Sequence, residues 1–255
     1  MIDVKIKGLL GGAKEAKGIV VIIDIFRAGT NISLVLDKGA KEVLPVANLE
    51  ESLALMEAHP EYIFMGEREG TKVPQFHYGN SPSEMDRGDF RGKTVSINTT
   101  SGTQGIVNAI KADQILIGGF ANSPAIEQYV LSEAERLYNG VTPVTVTIVP
   151  IGWAGEKPNF EDEVYAIYLR DRLLGMNPSF EEVKRKILAA PFTQRFFDPL
   201  DTDFPREDIE YCLTLGRFNN VPKVYHGNGR LAIRNALGYS PDSSLPQKDG
   251  NKAQE

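Results

Sequence analysis

Residues 94–110 read Thr94-Val95-Ser96-Ile97-Asn98-Thr99-Thr100-Ser101-Gly102-Thr103-Gln104-Gly105-Ile106-Val107-Asn108-Ala109-Ile110, and their hydrophobic period changes partway along. Val95 and Ile97 alternate with small polar residues, which is the period of a short strand. From Gly102 onward Ile106, Val107 and Ile110 fall on one side of a helix. Between the two lies a loop of hydroxyls and glycine, Thr99 to Thr103. A strand feeding such a loop and then a helix start aims several backbone N–H groups at one spot. The helix dipole makes that spot favourable for an anion. Hydroxyls supply further donors, and glycine lets the backbone come close. The plainer alternative is a hydroxyl-capped helix start, which α/β proteins contain in several copies.

The same strand-turn-helix unit recurs on both sides. Gly18-Ile-Val-Val-Ile-Ile-Asp24 is a continuous β-branched run suited to a strand buried on both faces. It ends in Asp24-Ile-Phe-Arg27-Ala-Gly-Thr30-Asn31, after which Ile32, Leu34, Val35 and Leu36 predict a helix. Further strands are expected at residues 2–9, 41–46, 62–65, 114–117, 144–149 and 223–225. Helices are expected from Asn48, from Asn122-Ser123-Pro124 to about Tyr138, and at 160–174, 180–188, 209–215 and 231–237. Residues 66–92 lack periodicity, and a loop of that length inside a domain is usually functional. The alternation predicts a three-layer α/β/α fold with a largely parallel or mixed sheet. It forms either one body over residues 1–239 or two α/β lobes with a break near 139–143. From residue 240 to 255 the polar composition predicts a disordered tail.

The 255 residues are 42% hydrophobic and 24% charged, as in a soluble globular protein with a sizeable core. A net charge of −6 without any long basic run argues against a nucleic-acid partner. The single cysteine, Cys212, excludes an intrachain disulfide and any multi-cysteine zinc site. No signal segment or membrane-length apolar run is present, so a cytoplasmic location is the expectation and no membrane is a partner. Homo-oligomerisation is left open.

In open α/β sheets, ligands bind beyond the carboxyl ends of the strands. The polar residues at those ends are Asp24 and Arg27, Glu67 and Arg68, Thr99 to Thr103, and Asn122. After the 144–149 strand come Gly152-Trp-Ala-Gly-Glu156 and then Glu161 and Asp162 at a helix start. Carboxylates suit a hard cation such as magnesium, and arginines pair with oxyanions. With the hydroxyl-rich loop, they describe a phosphate-ester site. Each also has an ordinary reading: Asp24 as a turn cap, the arginines as surface ion pairs, and the acids as partners of their own helix dipole. Adjacent helical residues do not share a face, so at most one of Glu161 and Asp162 is expected to reach a metal. His59, His77 and His226 have no metal-site spacing. Arg91-Gly-Lys-Thr94 is not a nucleotide P-loop, because Arg87 stands where the motif needs glycine and the segment precedes a strand.

Several blocks together resemble the 2-phosphosulfolactate phosphatase (ComB) family. They are Asp24-Ile-Phe-Arg27-Ala28, Gly66-Glu67-Arg68 with Gly70, Phe76, Gly79-Asn80-Ser81-Pro82 with Glu84, and Gly92-Lys93. Thr99 to Thr103, Ile117-Gly118, Asn122, Glu161-Asp162, Asp208-Ile-Glu-Tyr-Cys212 and Val221-Pro222 continue the series. The chain departs from the family's usual residues at Gly29, Gln75, His77 and Ser101, all in loops. The resemblance implies an α/β/α enzyme that hydrolyses 2-phospho-3-sulfolactate with magnesium, a step toward coenzyme M.

The combined expectation is a magnesium-dependent phosphatase of a small 2-phospho acid, a small anionic phosphorylated substrate being the partner. Asp24, Arg27, Glu67 and Arg68 are the expected catalytic residues. Asn80, Ser81, Thr99, Thr100, Ser101, Gly102, Thr103 and Asn122 are expected to hold substrate, and Asp24, Glu67, Glu161 and Asp162 the metal. Two arginines would offer more donors than one phosphate needs, which argues for a second anionic group on the substrate. Either water or Asp24 could attack phosphorus. Phe26 stands where aspartyl-phosphate sites usually carry a second Asp, which favours water. The alternatives are an inactive anion-binding homologue, a phosphatase of a different small acid, and a nucleotide-binding module.

Overall fold

The computed structural model describes residues 1–227 and 229–238, so the tail expected from residue 240 lies outside the described residues. The described strands form one mixed sheet in the order β1 (Ile2–Ile6), β8 (Val144–Pro150), β2 (Gly18–Ile23), β7 (Ala112–Gly118), β9 (Pro222–Gly227), β10 (Arg230–Asn235), β3 (Glu42–Pro45), β6 (Thr94–Asn98), β4 (Ile63–Arg68) and β5 (Thr71–Lys72). β1, β8, β2 and β7 run parallel, as do β3, β6 and β4. The β9–β10 hairpin joins these two sets and is antiparallel to its neighbour on each side.

β2 shows how the layers arise. Val20 and Ile22 enter one core, while Ile19, Val21 and Ile23 enter the other, the alternation of a strand covered on both faces. The first face carries α1 (Leu9–Glu15), α2 (Ala28–Asp37), α4 (Pro82–Met85) and α5 (Gly102–Asn108), which contribute Ala13, Ile32, Val35, Met85 and Ile106. The second carries α6 (Ser123–Leu137), α7 (Phe160–Leu173) and α8 (Phe180–Leu188), with Ile126, Val130, Tyr165, Leu169 and Ile187. α3 (Leu49–Ala58), capped by the Asn48 side chain on the Glu51 N–H, covers a smaller cluster around Phe64. The expected α/β/α layering is therefore present, with a mixed sheet.

Several local expectations are corrected. Residues 231–237 do not form a helix. Gly229 turns the chain at φ +76°, and Leu231 and Ile233 alternate onto the first core as strand β10. An apolar run this short carries both periods, and the hairpin with β9 decides between them. α5 stops at Asn108, which leaves Ile110 79% exposed instead of on the core side. α1 was hidden by Gly11 and Gly12, poor helix formers; a Cβ at Gly12 would lie 2.1 Å from the Lys7 carbonyl oxygen. The segment 66–92 is not structureless, since it holds the end of β4, β5 and α4. Of the 209–215 region only the part within α9 (Asp208–Cys212) is helical.

Candidate active site

β2 and β8 run opposite to β4 and β6 in the sheet, and β2 and β6 are not neighbours, yet the chain leaving each of the four contributes to one cavity. α5 closes the gap by packing directly on β2. Its first residue, Gly102, comes so close that a Cβ there would lie 2.8 Å from Asp24 Oδ2 and 2.9 Å from Ala28 Cβ. Gly102→Ala should therefore displace Asp24 or the loop, with an overpacking cost of about 1–3 kcal/mol. Thermal unfolding measures it, and a wild-type melting temperature would show that the contact is soft.

The cavity that results is lined by Asp24, Arg27, Glu67, Asn80, Thr100 and Ser101, with Phe26, Trp153, Phe192 and Phe204 as an aromatic wall and Gly70, Gly152 and Asn159 completing it. A larger cavity of about 560 Å³, between α3 and β10, is mainly apolar, with Glu51 and Arg230 as its charged residues. The chemistry is concentrated in the first.

The 99–103 loop does bind anions, but they are the protein's own. Thr100 N–H donates to Glu67 Oε1 at 2.7 Å, and Thr100 Oγ1 and Gly70 N–H donate to Glu67 Oε2 at 3.0 and 2.7 Å. Asp24 takes the Ala28 N–H on Oδ1 at 3.2 Å and a further backbone bond from Gly102. Burial, and then the charge of Glu67, raise Asp24 to about 7 despite these donors. Glu161 is likewise raised to about 7 by burial, reinforced by Asp24. Asp162 is pushed well above the carboxylate range by burial and by both acids. Its oxygens accept the Ile25 N–H at 2.8 Å and the Gly152 N–H at 3.0 Å, so it ties α7 to the ends of β2 and β8. Glu161 differs, because its buried Oε1 has no hydrogen-bond partner.

Arg27 is the only cation among the described residues that line the cavity. Its side chain is 2% exposed, and Nη1 donates to Asp208 Oδ2 at 2.7 Å and to the Asp203 carbonyl at 2.8 Å. Phe204 lies 4.4 Å from the guanidinium carbon and Phe196 5.8 Å, while buried Nε has no partner. A cation fits this donor set chemically: Asp24 and Glu67 line the cavity, Glu161 and Asp162 lie buried within electrostatic reach of Asp24, and the one lining arginine is already paired with Asp208. Among the described residues, however, no three His, Cys, Asp or Glu side chains converge on one point. The fit is to an ion held by two protein oxygens, with water and substrate oxygens completing its shell, as magnesium accepts.

The remaining expected residues fall elsewhere. Arg68 follows Glu67 on β4 and projects to the opposite side, as adjacent strand residues do. It bonds the Glu67 carbonyl at 2.7 Å and the Asn98 side chain, and does not line the cavity. Asn122 caps its own turn, accepting from Gly119 N–H and donating to the Ile117 carbonyl. Thr99 and Thr103 bond each other across the loop, and Ser81 donates to Asp208 and caps α4. Asn80 remains in the wall, tied to Asn31 Nδ2 at 2.6 Å, and Ser101 Oγ accepts the Ala154 N–H. Gln75 and His77, departures from the family pattern, are outside the cavity lining. Sequence reasoning assigned no role to Phe192, Phe196, Phe204 and Asp208. The aromatic density of residues 192–204 was the available signal for three of them.

The family model described as 2-phosphosulpholactate phosphatase matches residues 6–227. A protein of Clostridium tetani (strain Massachusetts / E88) named probable 2-phosphosulfolactate phosphatase is 40% identical over 219 residues, covering 82% of this chain and 90% of its own. A protein of the same name in Clostridium beijerinckii (strain ATCC 51743 / NCIMB 8052) is 34% identical over 225 residues, with 82% and 90% covered. One from Thermoplasma acidophilum, also so named, is 29% identical over 223 residues, with 88% and 90% covered. Similarity of this extent places the chain in the 2-phosphosulpholactate phosphatase family of phosphoric monoester hydrolases.

Proposed function

We propose that this phosphatase hydrolyses 2-phospho-3-sulfolactate to 3-sulfolactate and phosphate with magnesium, as a step toward coenzyme M. The observation that carries the reading is the presence of two unmet demands, one at Arg27 in the cavity wall and one at Glu161, which lies behind the lining next to Asp24. Buried Glu161 Oε1 has no partner, within electrostatic reach of Asp24, and Arg27 Nε has none either. The first asks for a cation and the second for an oxyanion.

Asp24 and Glu161 would hold the metal, with Glu67 and Asp162 fixing the loops that carry them. When bound, magnesium would supply Lewis-acid charge at the phosphoryl oxygens and ease ionisation of an adjacent water. Arg27 takes a phosphoryl oxygen on its free Nε, its guanidinium held still by Asp208, Asp203 and Phe204. Water oxygen bonds to phosphorus as the ester P–O bond breaks; of the two protons of that water, one ends on the departing alkoxide, which leaves as the 2-hydroxyl of the product, and the other stays with the phosphate. Trp153, Phe192 and Phe204 keep bulk water out, which strengthens these charge interactions. Trp153 and Phe192 stand together in this wall, their ring centroids 6.3 Å apart.

Because Arg68 is turned away, the carboxylate and sulfonate of the substrate meet neutral donors, with Asn80, Asn159 and Ser101 available. Selectivity for the sulfonate then rests on ordinary hydrogen bonds, and kcat/KM should favour phosphosulfolactate over phospholactate by about tenfold. Both should exceed a simple aryl phosphate. Equal values across the three would withdraw the family's substrate for this chain, and no turnover of any would leave an inactive anion-binding homologue.

A further inference from the structure

Asp208 touches neither substrate nor metal in the chemistry above, yet it is fully buried behind Arg27 and makes more contacts than holding one guanidinium requires. Its Oδ2 accepts from Arg27 Nη1 at 2.7 Å; its Oδ1 accepts from Ser81 Oγ at 2.8 Å and from Ser83 N–H at 3.0 Å. These partners belong to two walls of the cavity. Arg27 follows β2, whereas Ser81 follows Asn80 in the loop that enters α4. A single carboxylate thus sets the spacing between the guanidinium and the Asn80 wall. The same guanidinium is anchored at the Asp203 carbonyl and against the Phe204 ring, so its Nη1 end is fixed while Nε is left unpartnered. A fork fixed at one end and open at the other gives directional recognition of an oxyanion.

We propose that Asp208 is a positioning residue for phosphoryl transfer, acting through Arg27. It holds the guanidinium and the Asn80–Ser81 loop in the one geometry in which the guanidinium addresses the phosphoryl group and Asn80 the rest of the substrate. This rests on the phosphatase reading above. The competing account is an ion pair that serves only the fold, and the two differ in how substitutions combine.

The experiment compares wild type, D208N, R27A and the double variant by kcat and KM. Asparagine keeps the shape of the side chain but weakens its hold on both walls. D208N alone should lower kcat about ten- to a hundredfold, with a smaller change in KM, as expected for a slightly misplaced catalytic group. In the R27A background it should change kcat by less than about twofold, because the group it acts through is gone. Multiplying effects, or a wild-type kcat in D208N, overturn the proposal. If D208N does not fold, Ser81→Ala removes one tether and keeps the carboxylate. It should cost about threefold in kcat, roughly one neutral hydrogen bond, and that loss should also vanish beside R27A; persistence of the loss there overturns the proposal equally.

Binding of inorganic phosphate in the presence of magnesium gives a second readout on the same proteins. It is followed by the emission of Trp153, the only tryptophan in the chain and part of the cavity wall. Wild-type protein that neither turns over nor responds to phosphate sinks the phosphatase reading and the role of Asp208 with it. Wild-type protein that does both, with multiplying kcat effects in the variants, sinks the role of Asp208 alone.

Discussion

Protein stripped of divalent cations by a chelator should hydrolyse phosphosulfolactate only at the background rate, and magnesium should restore turnover. The argument is electrostatic. Asp24, Glu67, Glu161 and Asp162 are all buried, each 8% exposed or less. Loss of hydration on burial, reinforced by the neighbouring carboxylates, raises Asp24 and Glu161 to about 7. The lining guanidinium, paired with Asp208 at 2.7 Å, lowers Asp24 only in part and leaves it raised. A bound cation would stabilise the fold as well as the reaction. At a hundred times its dissociation constant it would add about 2.7 kcal/mol, or roughly 5–10 °C in melting temperature for a chain of this size. Glu161→Gln should blunt that shift, because it removes the carboxylate whose Oε1 lacks a partner. Undiminished activity after chelation, together with an unmoved melting temperature, would take the metal out of the mechanism.

Arg27→Ala is the second large expectation, and it has two separable parts. A preorganised oxyanion donor lost from an active site costs about two to three powers of ten in kcat. The stability effect is independent of catalysis. Asp208 would be left buried and without its counter-ion, and breaking a buried pair typically costs about 3–5 kcal/mol. Kinetics at a temperature well below the unfolding transition keep the parts distinct. A raised KM with unchanged kcat would make Arg27 a reader of the substrate's other anions instead of a stabiliser of the transferring group.

The layers of the fold were legible because β2 and the 94–110 stretch carry unambiguous periods. Asp24, Glu67 and the hydroxyl loop were legible because they stand at strand ends, where such sheets bind ligands. What the chain could not disclose was which anion the loop holds. Thr100 and Gly102 advertise N–H donors, but that Glu67 and Asp24 come to them is a fact of the sheet's strand order. Arg68 was misplaced for a local reason: next to Glu67 on a strand, it had to face the other way. Asp208 lies 181 residues from Arg27, and no pattern within either segment announces their contact. Glu161 and Asp162 were separable only in part. Helical geometry allowed one of them to reach the site, and the backbone bonds of Asp162 show which one has an oxygen to spare.

The β9–β10 hairpin has a consequence for how the protein is made. Synthesis proceeds from the N-terminus, so the strands at the middle of the sheet emerge last. Until residues 222–235 leave the ribosome, β7 and β3 each present an open edge, one on each half of the sheet. Open edges of buried, β-branched strands are templates for pairing with other chains. A chain cut short before Pro222 would therefore be less a smaller enzyme than two half-sheets prone to aggregate. A hairpin far in sequence from the Asp24 chemistry is thus what closes the two edges through which the nascent protein could self-associate.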